Sequence, residues 1–188
     1  MAERPTLQTD RLILRPFALA DAAAVQRLAG DPAIADTTLR IPHPYPDGVA
    51  EAWIGTHQES FDKGASVTFA ITLRAGGELI GSIGLELRPA HRRAELGYWV
   101  GVPFWNRGYC TEAVRAVIAY GFAERGLNRI FAHHVSRNPA SGRVMQKVGM
   151  RHEGHLRQHI RKGDRFEDIE LYAILREDFD AQAKSPNR

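Results

Sequence analysis

The chain has 188 residues, of which 44% are apolar and 25% charged, and its formal net charge is +3. These proportions are those of a globular domain and exclude wholesale disorder. There is no run of about 18 apolar residues, and the first residues are polar, so we expect neither a membrane span nor a signal peptide.

The single cysteine, Cys110, excludes an internal disulfide and a multi-cysteine metal site. Without an export signal or a disulfide, a cytoplasmic location is expected. Most basic residues are arginines, whose planar guanidinium suits phosphate and carboxylate oxygens. Because no long basic run occurs, the charge does not indicate a nucleic-acid partner; a small polyanionic ligand or plain solubility explains it equally well.

The first third of the chain predicts a strand, two helices and a loop. Residues 12–17 predict a strand at a sheet edge, because this segment contains a proline. Asp21 is a suitable N-cap for a short helix that ends at Gly30. The proline-rich residues 41–46 predict an ordered loop, and residues 49–63 a second helix.

The middle of the chain predicts an antiparallel meander. Residues 66–73 alternate apolar and polar side chains, which is the period of a half-buried strand. A turn at Gly76-Gly77 leads to a partner strand over residues 78–88, and residues 93–100 predict a third strand.

The pattern then changes to a strand–helix–strand crossover. An apolar stripe predicts a helix over residues 111–125, and residues 129–135 predict a strand parallel to a neighbour. Asn138-Pro139 is a strong N-cap and first-turn pair for a helix that ends at Gly149.

Two final strands, near residues 151–161 and 166–175, complete the prediction. The expected fold is one mixed α/β domain, in which the antiparallel meander leads into a parallel crossover. We expect a core over residues 8–176 and a C-terminal tail over residues 177–188.

Several common catalytic motifs are absent from the sequence. It contains no G-x-G-x-x-G dinucleotide motif, no phosphate-binding P-loop and no G-x-S-x-G nucleophile elbow. His152-Glu153-Gly154-His155 is one residue short of the zincin spacing, so a structural role is expected for these histidines and for His133-His134. We therefore expect no metal site.

The segment 102–113 joins the third strand of the meander to the longest predicted helix. A helix N-terminus presents unpaired N–H groups and a positive dipole end, and Gly108 lets the backbone approach a phosphate closely. On this geometry alone, an ordinary strand-to-helix turn is at least as good an interpretation as an anion site.

Four segments, taken in order, resemble the GCN5-related N-acetyltransferases: AELGYWV at 94–100, the 102–113 loop, NPAS at 138–141 and KVGM at 147–150. More narrowly, the chain resembles the ribosomal-protein N-terminal acetyltransferase branch, over nearly its whole length. In the family's pyrophosphate loop, Gln or Arg is followed by two residues, Gly, one residue, then Gly or Ala. Trp105, Gly108 and Cys110 stand at those positions here, and Cys110 departs from the small residue of the pattern.

The resemblance implies that acetyl-coenzyme A binds between two splayed parallel strands, residues 95–100 and 129–135. Main-chain groups of Tyr98, Trp99 and Val100 would pair with the pantetheine arm. The N–H groups implied to hold the pyrophosphate belong to Asn106, Arg107, Gly108, Tyr109, Cys110 and Thr111.

Two further contacts with the cosubstrate follow from the same resemblance. Asn138 would reach the pantetheine as well as cap its helix, and Arg143 would approach the nucleotide end. Cys110 is expected to be a packed, unreactive thiol, because the pyrophosphate would occupy the same helix end. Direct transfer is therefore expected instead of a route through an acetylated enzyme.

Acyl transfer to an amine needs a base, an oxyanion donor and a proton for the leaving thiolate. The expected oxyanion donor is a main-chain N–H near Val100, and the expected thiolate donor is Ser141, for which a capping or solvent hydroxyl is an equal alternative. Glu95 is the leading base candidate; His159, a water chain, or a merely solvated Glu95 are alternatives.

The acceptor is expected between the 41–46 loop, the helix after it and the last hairpin. His43, Tyr45 and Trp53 are candidate lining residues, although aromatic packing would also explain them. Asp168 matches a recurrent acid of the family, and a structural ion pair is its alternative role.

The leading functional hypothesis is acetyl-coenzyme A-dependent acetylation of a protein N-terminal α-amino group. The alternatives are acetylation of a small-molecule amine, such as an amino acid, a polyamine or an antibiotic, and a non-catalytic coenzyme A-binding module. We expect no membrane or direct nucleic-acid partner, and a homodimer is the expected assembly if the chain self-associates.

Overall fold

The computed structural model describes residues 2–184; Met1 and residues 185–188, the end of the predicted tail, lie outside the described residues. The helices are α1 (Ala22–Ala29), α2 (Pro32–Thr37), α3 (Val49–Gly55), α4 (His57–Asp62), α5 (Tyr109–Ala123), α6 (Pro139–Lys147) and α7 (Arg176–Lys184). The strands are β1 (Leu7–Gln8), β2 (Leu12–Arg15), β3 (Ser66–Leu73), β4 (Leu79–Arg88), β5 (Arg93–Val100), β6 (Arg129–Val135), β7 (Arg151–Lys162) and β8 (Arg165–Leu175). None of the described helices is long and apolar enough to cross a membrane.

All eight strands form one mixed sheet in the order β1-β2-β3-β4-β5-β6-β8-β7. Among the strands that the structure describes, only the β5–β6 pair is parallel, because α5 carries the chain back across the sheet between them. This arrangement confirms the predicted meander and crossover. Helix α5 covers one face with a buried stripe, and α1 and α3 pack on the other face.

Strands β5 and β6 separate soon after they meet. They pair only through Arg93↔Arg129, Ala94↔Ile130 and Glu95↔Phe131, although both strands continue beyond these residues. The closed end is held by the Asn128 main-chain N–H, which donates to the Arg92 carbonyl at 2.6 Å. The remainder of each strand leaves a gap in the middle of the sheet, as predicted for a pair of splayed strands.

Several short elements differ from the prediction. The segment predicted as one helix over residues 49–63 is two helices, α3 and α4, which meet at Thr56. Helix α2, which the periodicity did not reveal, is capped by Asp31, whose carboxylate accepts from the Ala33 N–H at 2.8 Å. The predicted tail begins as α7, where Phe179 packs on Phe122 with ring centroids 5.1 Å apart.

Candidate active site

A cleft of about 900 Å³ runs through the gap between β5 and β6. On one face of the sheet it is lined by the 105–111 loop and the start of α6. On the other face it is lined by residues 37–42, α3 and α4. The cleft therefore opens to both sides of the sheet.

The β4–β5 ladder determines which main-chain groups of β5 face the gap. The Gly101 N–H donates to the Ile80 carbonyl at 2.8 Å, which makes Gly101 and Ile80 a hydrogen-bonded pair. Because such pairs alternate along an antiparallel ladder, Trp99 pairs with β4 through Ser82, whereas the main-chain groups of Tyr98 and Val100 point into the gap.

This register corrects one part of the predicted cosubstrate site. The main-chain groups of Trp99 are directed at β4 and cannot meet a ligand in the gap; its side chain lines the cleft on the face of the sheet covered by α3 instead. The Val100 carbonyl accepts the Trp105 indole N–H at 2.6 Å, while the Val100 N–H remains directed into the gap.

The loop before α5 concentrates main-chain donors at one end of the cleft. Asn106 and Gly108 adopt the left-handed backbone conformation, with φ of 60° and 80°, and α5 starts at Tyr109. The first bond within the helix runs from the Glu112 N–H to the Gly108 carbonyl, so three N–H groups precede it without an acceptor in the helix. They belong to Tyr109, Cys110 and Thr111, which all line the cleft, as do Asn106 and Gly108. This cluster of donors can hold a diphosphate.

Hydrogen bonds from the first hairpin, β1–β2, stabilise this loop, and the sequence did not predict them. The Glu112 carboxylate accepts from the Thr9 hydroxyl at 2.6 Å and from the Arg11 side chain at 2.7 Å. Arg11 also donates to the Arg107 carbonyl at 2.9 Å. Burial opposes the charge of Glu112, but the bonds from Thr9 and Arg11 prevail and hold its pKa below the usual range. Glu112 is the acidic residue in the first turn of α5, and its position there was the sequence feature that could have indicated these contacts.

Two hydroxyl groups meet at the α6 side of the gap. Ser141 Oγ lies 2.8 Å from the Tyr98 phenol oxygen, and the Asn138 side chain caps α6 by accepting from the Ser141 N–H at 3.4 Å. Burial, and next the proximity of Cys110, raise the pKa of Tyr98 far above its usual value, so its hydroxyl stays protonated. Ser141 was predicted at this position, whereas the phenol beside it was not.

Glu95 lies on the opposite face of β5 from Tyr98, because side chains alternate along a strand. Its carboxylate is half-buried and lies 3.4 Å from Nδ1 of His133 on β6. Ser141 and Glu95 therefore approach the gap from opposite faces of the sheet.

Cys110 lines the cleft as a neutral thiol. Burial raises its pKa to about 12, so no thiolate forms at neutral pH. A thiol in this state is a poor nucleophile.

The side of the cleft lined by α3 has an aromatic wall. Trp53 contacts Phe17 and His57 edge-on, with ring centroids 5.0 Å and 4.5 Å apart, and Tyr45 lines the same side. Burial, followed by the nearby Arg4 charge, lowers the pKa of His57 to about 4. His57 is therefore neutral at pH 7.

Three predicted residues lie away from the cleft. The His43 ring contacts the Gly30 carbonyl at 3.1 Å and does not line the cleft. Asp168 accepts from the Gln158 N–H at 2.6 Å, in a separate surface concavity at the β7–β8 hairpin that also contains His159. Of the residues considered as a base, only Glu95 lines the cleft.

Helix α6 contributes two cationic side chains to the lining. Arg143 was predicted near the nucleotide end, and Lys147, one turn further along the helix, was not singled out from the sequence. Asn138 lines the cleft beside them. The two charges favour an anionic group at this side of the gap.

Comparisons with known proteins show the family to which the chain belongs. Residues 11–151 match the family model described as an acetyltransferase (GNAT) domain. The chain is 33% identical over 175 residues to the uncharacterized N-acetyltransferase YoaA of Bacillus subtilis, covering 92% of this chain and 97% of that protein. It is 27% identical to the [ribosomal protein uS5]-alanine N-acetyltransferase of Escherichia coli, covering 92% of each chain.

A solved structure shares the fold. RimL, a ribosomal L7/L12 α-N-protein acetyltransferase solved in complex with coenzyme A, superposes with a TM-score of 0.83 at 18% identity. The superposition covers 91% of this chain and 98% of that chain.

Proposed function

Because this chain belongs to the GNAT acetyltransferase family and is an N-acetyltransferase, we propose that it transfers an acetyl group from acetyl-coenzyme A directly to a primary amine, with a protein N-terminal α-amino group as the leading candidate. One observation carries this proposal. The sheet opens after Glu95, and a hydroxyl pair and a carboxylate approach the opening from opposite faces.

The cleft fits acetyl-coenzyme A in two respects. The free N–H groups of Tyr109, Cys110 and Thr111 supply donors for the pyrophosphate. The open edge of β5 supplies the main-chain N–H and carbonyl of Tyr98 for the amide groups of the pantetheine arm, and the Val100 N–H stays available for the thioester oxygen. RimL, which shares this fold, was solved with coenzyme A, and that supports the assignment of the cosubstrate.

The reaction is a single displacement at the thioester carbonyl. An amine with a pKa of about 8 is mostly protonated at neutral pH, and we assign its proton to Glu95. The freed nitrogen forms a bond to the carbonyl carbon, and the Val100 N–H stabilises the oxyanion. The carbon–sulfur bond then breaks, and the thiolate takes the Ser141 proton. The acylated nitrogen loses its second proton, which returns to the hydroxyl pair of Ser141 and Tyr98, so the net proton released by the reaction is the one on Glu95.

The acceptor assignment rests on chemistry and on relatives. The E. coli relative is named for acetylating the alanine of a ribosomal protein, which supports an N-terminal α-amino group. A small-molecule amine is the second candidate, because the acceptor side is walled by Tyr45 and Trp53 and has room for one. A cytoplasmic location and a homodimer stay predictions.

The test is a thiol-release assay with acetyl-coenzyme A and paired acceptors. One peptide carries a free N-terminal alanine, and its partner has the same sequence with a blocked N-terminus and one lysine. We expect turnover with the first and none with the second. Faster turnover with small amines would favour the second candidate, whereas coenzyme binding without turnover on any amine would indicate a non-catalytic module.

A further inference from the structure

Two carboxylates face each other on the acceptor side of the cleft. Glu86 on β4 and Glu95 on β5 are direct cross-strand partners, and both line the cleft. Like charges at directly opposed positions of a sheet are unfavourable. The pair therefore needs a cation from outside the two strands.

Arg40 forms an ion pair with only one of them, Glu86, although its charge also acts on Glu95 over a longer distance. Arg40, in the segment after α2, forms an ion pair with Glu86 and lines the cleft itself. The bond from Arg40 holds the pKa of Glu86 below its usual range. Among the described residues, Glu95 has no arginine or lysine within ion-pair distance, and its contact is His133.

No side chain separates these groups from the rest of the cleft floor. Gly97 lies between Glu95 and Trp99 on the same face of β5, and a Cβ built on it would meet nothing within 4 Å. Gly84, beside it on β4, also lines the cleft. The space above the two carboxylates is therefore continuous.

Two other titratable groups on this side of the cleft, His57 and Tyr45, add no fixed charge. His57 is neutral at pH 7, and Tyr45 stays protonated because burial raises its pKa. With Glu86 neutralised by Arg40, one carboxylate, Glu95, remains without a fixed cationic partner.

We infer that Arg40 is a specificity-determining residue, which restricts the acceptor to amines that carry one positive charge. This inference rests on the proposed function. A single ammonium group can pair with Glu95. A second ammonium on the same molecule would find Glu86 already engaged and would be repelled by the guanidinium. Diamines and polyamines are therefore disfavoured. Monoamines, and peptide N-termini that are followed by uncharged residues, are accepted.

The experiment compares kcat/KM for a monoamine and for a linear diamine of similar length, such as butylamine and putrescine. A peptide with a free N-terminus and no other charge serves as a second monocationic acceptor. Removal of Arg40 should free Glu86, so Arg40→Ala should raise the diamine-to-monoamine ratio about fivefold through KM, the effect of one partly exposed charge contact. Arg40→Lys, which keeps the charge, should retain the ratio of the natural protein.

Two further variants isolate the cause. In the double variant Arg40→Ala, Glu86→Gln, the diamine-to-monoamine ratio should return to that of the natural protein, because the carboxylate freed by the loss of Arg40 is no longer present. Lys63→Ala removes a cation from an exposed ion pair with Glu59, outside the cleft, and controls for the change in net charge. It should leave the ratio unchanged.

The outcomes separate the two claims. If the enzyme acetylates monoamines but the ratio is the same in Arg40→Ala, or if the gain survives in the double variant, the inference about Arg40 is wrong and the proposed function stands. If no amine is acetylated although coenzyme A binds, the proposed function is wrong and the inference falls with it.

Discussion

The phenol of Tyr98 and the hydroxyl of Ser141 lie 2.8 Å apart, joining β5 to the first turn of α6 beside the open part of the sheet. The two residues are 43 positions apart in the chain. The capping bond from the Ser141 N–H to Asn138 fixes the backbone on one side of this contact, and the sheet fixes the other. The contact fixes the orientation of two hydroxyl groups at the gap, and we propose that they supply the proton for the leaving thiolate.

Replacing Ser141 tests that donor. Ser141→Ala should lower kcat about 100-fold, because general acid catalysis contributes on that order, while KM for acetyl-coenzyme A changes little. Ser136→Ala, which removes a hydroxyl bonded to Glu170 outside the cleft, is the matched control and should retain activity. An unaltered kcat in Ser141→Ala would remove this residue from the mechanism.

Glu95 is tested by the pH dependence of the rate. Glu95→Gln should lower kcat/KM by about 100-fold or more and abolish the fall in rate at low pH that reflects protonation of the base. Glu59→Gln, on the exposed surface of α4, controls for the loss of one negative charge. An identical pH–rate profile in Glu95→Gln would assign the base to another group.

The raised pKa of the Cys110 thiol predicts slow alkylation. Since the pKa of Cys110 is raised to about 12, iodoacetamide at pH 8 should modify the folded protein far more slowly than the unfolded chain. Cys110→Ala should keep most of the transfer activity. Rapid alkylation, or loss of all activity in Cys110→Ala with the fold intact, would contradict direct transfer.

The lowered pKa of His57 predicts that the free energy of unfolding decreases in acid. Its pKa is about 4 in the folded protein and about 6.5 when unfolded, so the unfolded chain binds more protons between these values. The free energy of unfolding should therefore decrease as pH falls from about 6.5 towards 4, by up to ~3 kcal/mol from this group.

Chemical denaturation at several pH values checks this prediction. The free energy of unfolding should depend less steeply on pH in His57→Phe, which keeps the aromatic contacts with Phe17 and Trp53. His91→Phe, at an exposed turn, is the control. The same slope in the natural chain and in His57→Phe would show that another group causes the acid sensitivity.

The periodic elements could be predicted because their signal is local. The alternation at residues 66–73 and the stripe of α5 each bury one face, so pattern and structure agree. Helix α2 and the pair α3 and α4 have six or seven residues each, too few for a helical period to show where one ends and the next begins.

The site was harder to predict because it depends on distant contacts. The alternation of β5 assigns Tyr98 to the core-facing side, but it carries no information on the hydroxyl that it meets on α6. The hydrogen bond from Arg11 to Glu112 and the ion pair of Arg40 with Glu86 likewise join residues far apart in sequence. Asp168 has bonding partners within its own hairpin, and these hold it away from the cleft.

The central claim is that the β5–β6 gap and the loop at Gly108 bind acetyl-coenzyme A, and titration calorimetry with acetyl-coenzyme A and coenzyme A tests it most directly. The account predicts one site per chain in the natural protein. It also predicts weaker binding in Gly108→Ala, because φ is +80° there and a Cβ would lie 3.3 Å from Arg11. Gly163→Ala is the control. It lies at a turn with φ of +58° and open space around it, so it should strain the backbone to a similar degree without loss of affinity for the ligand. No heat of binding with either ligand, from a protein shown to be folded, would contradict the account.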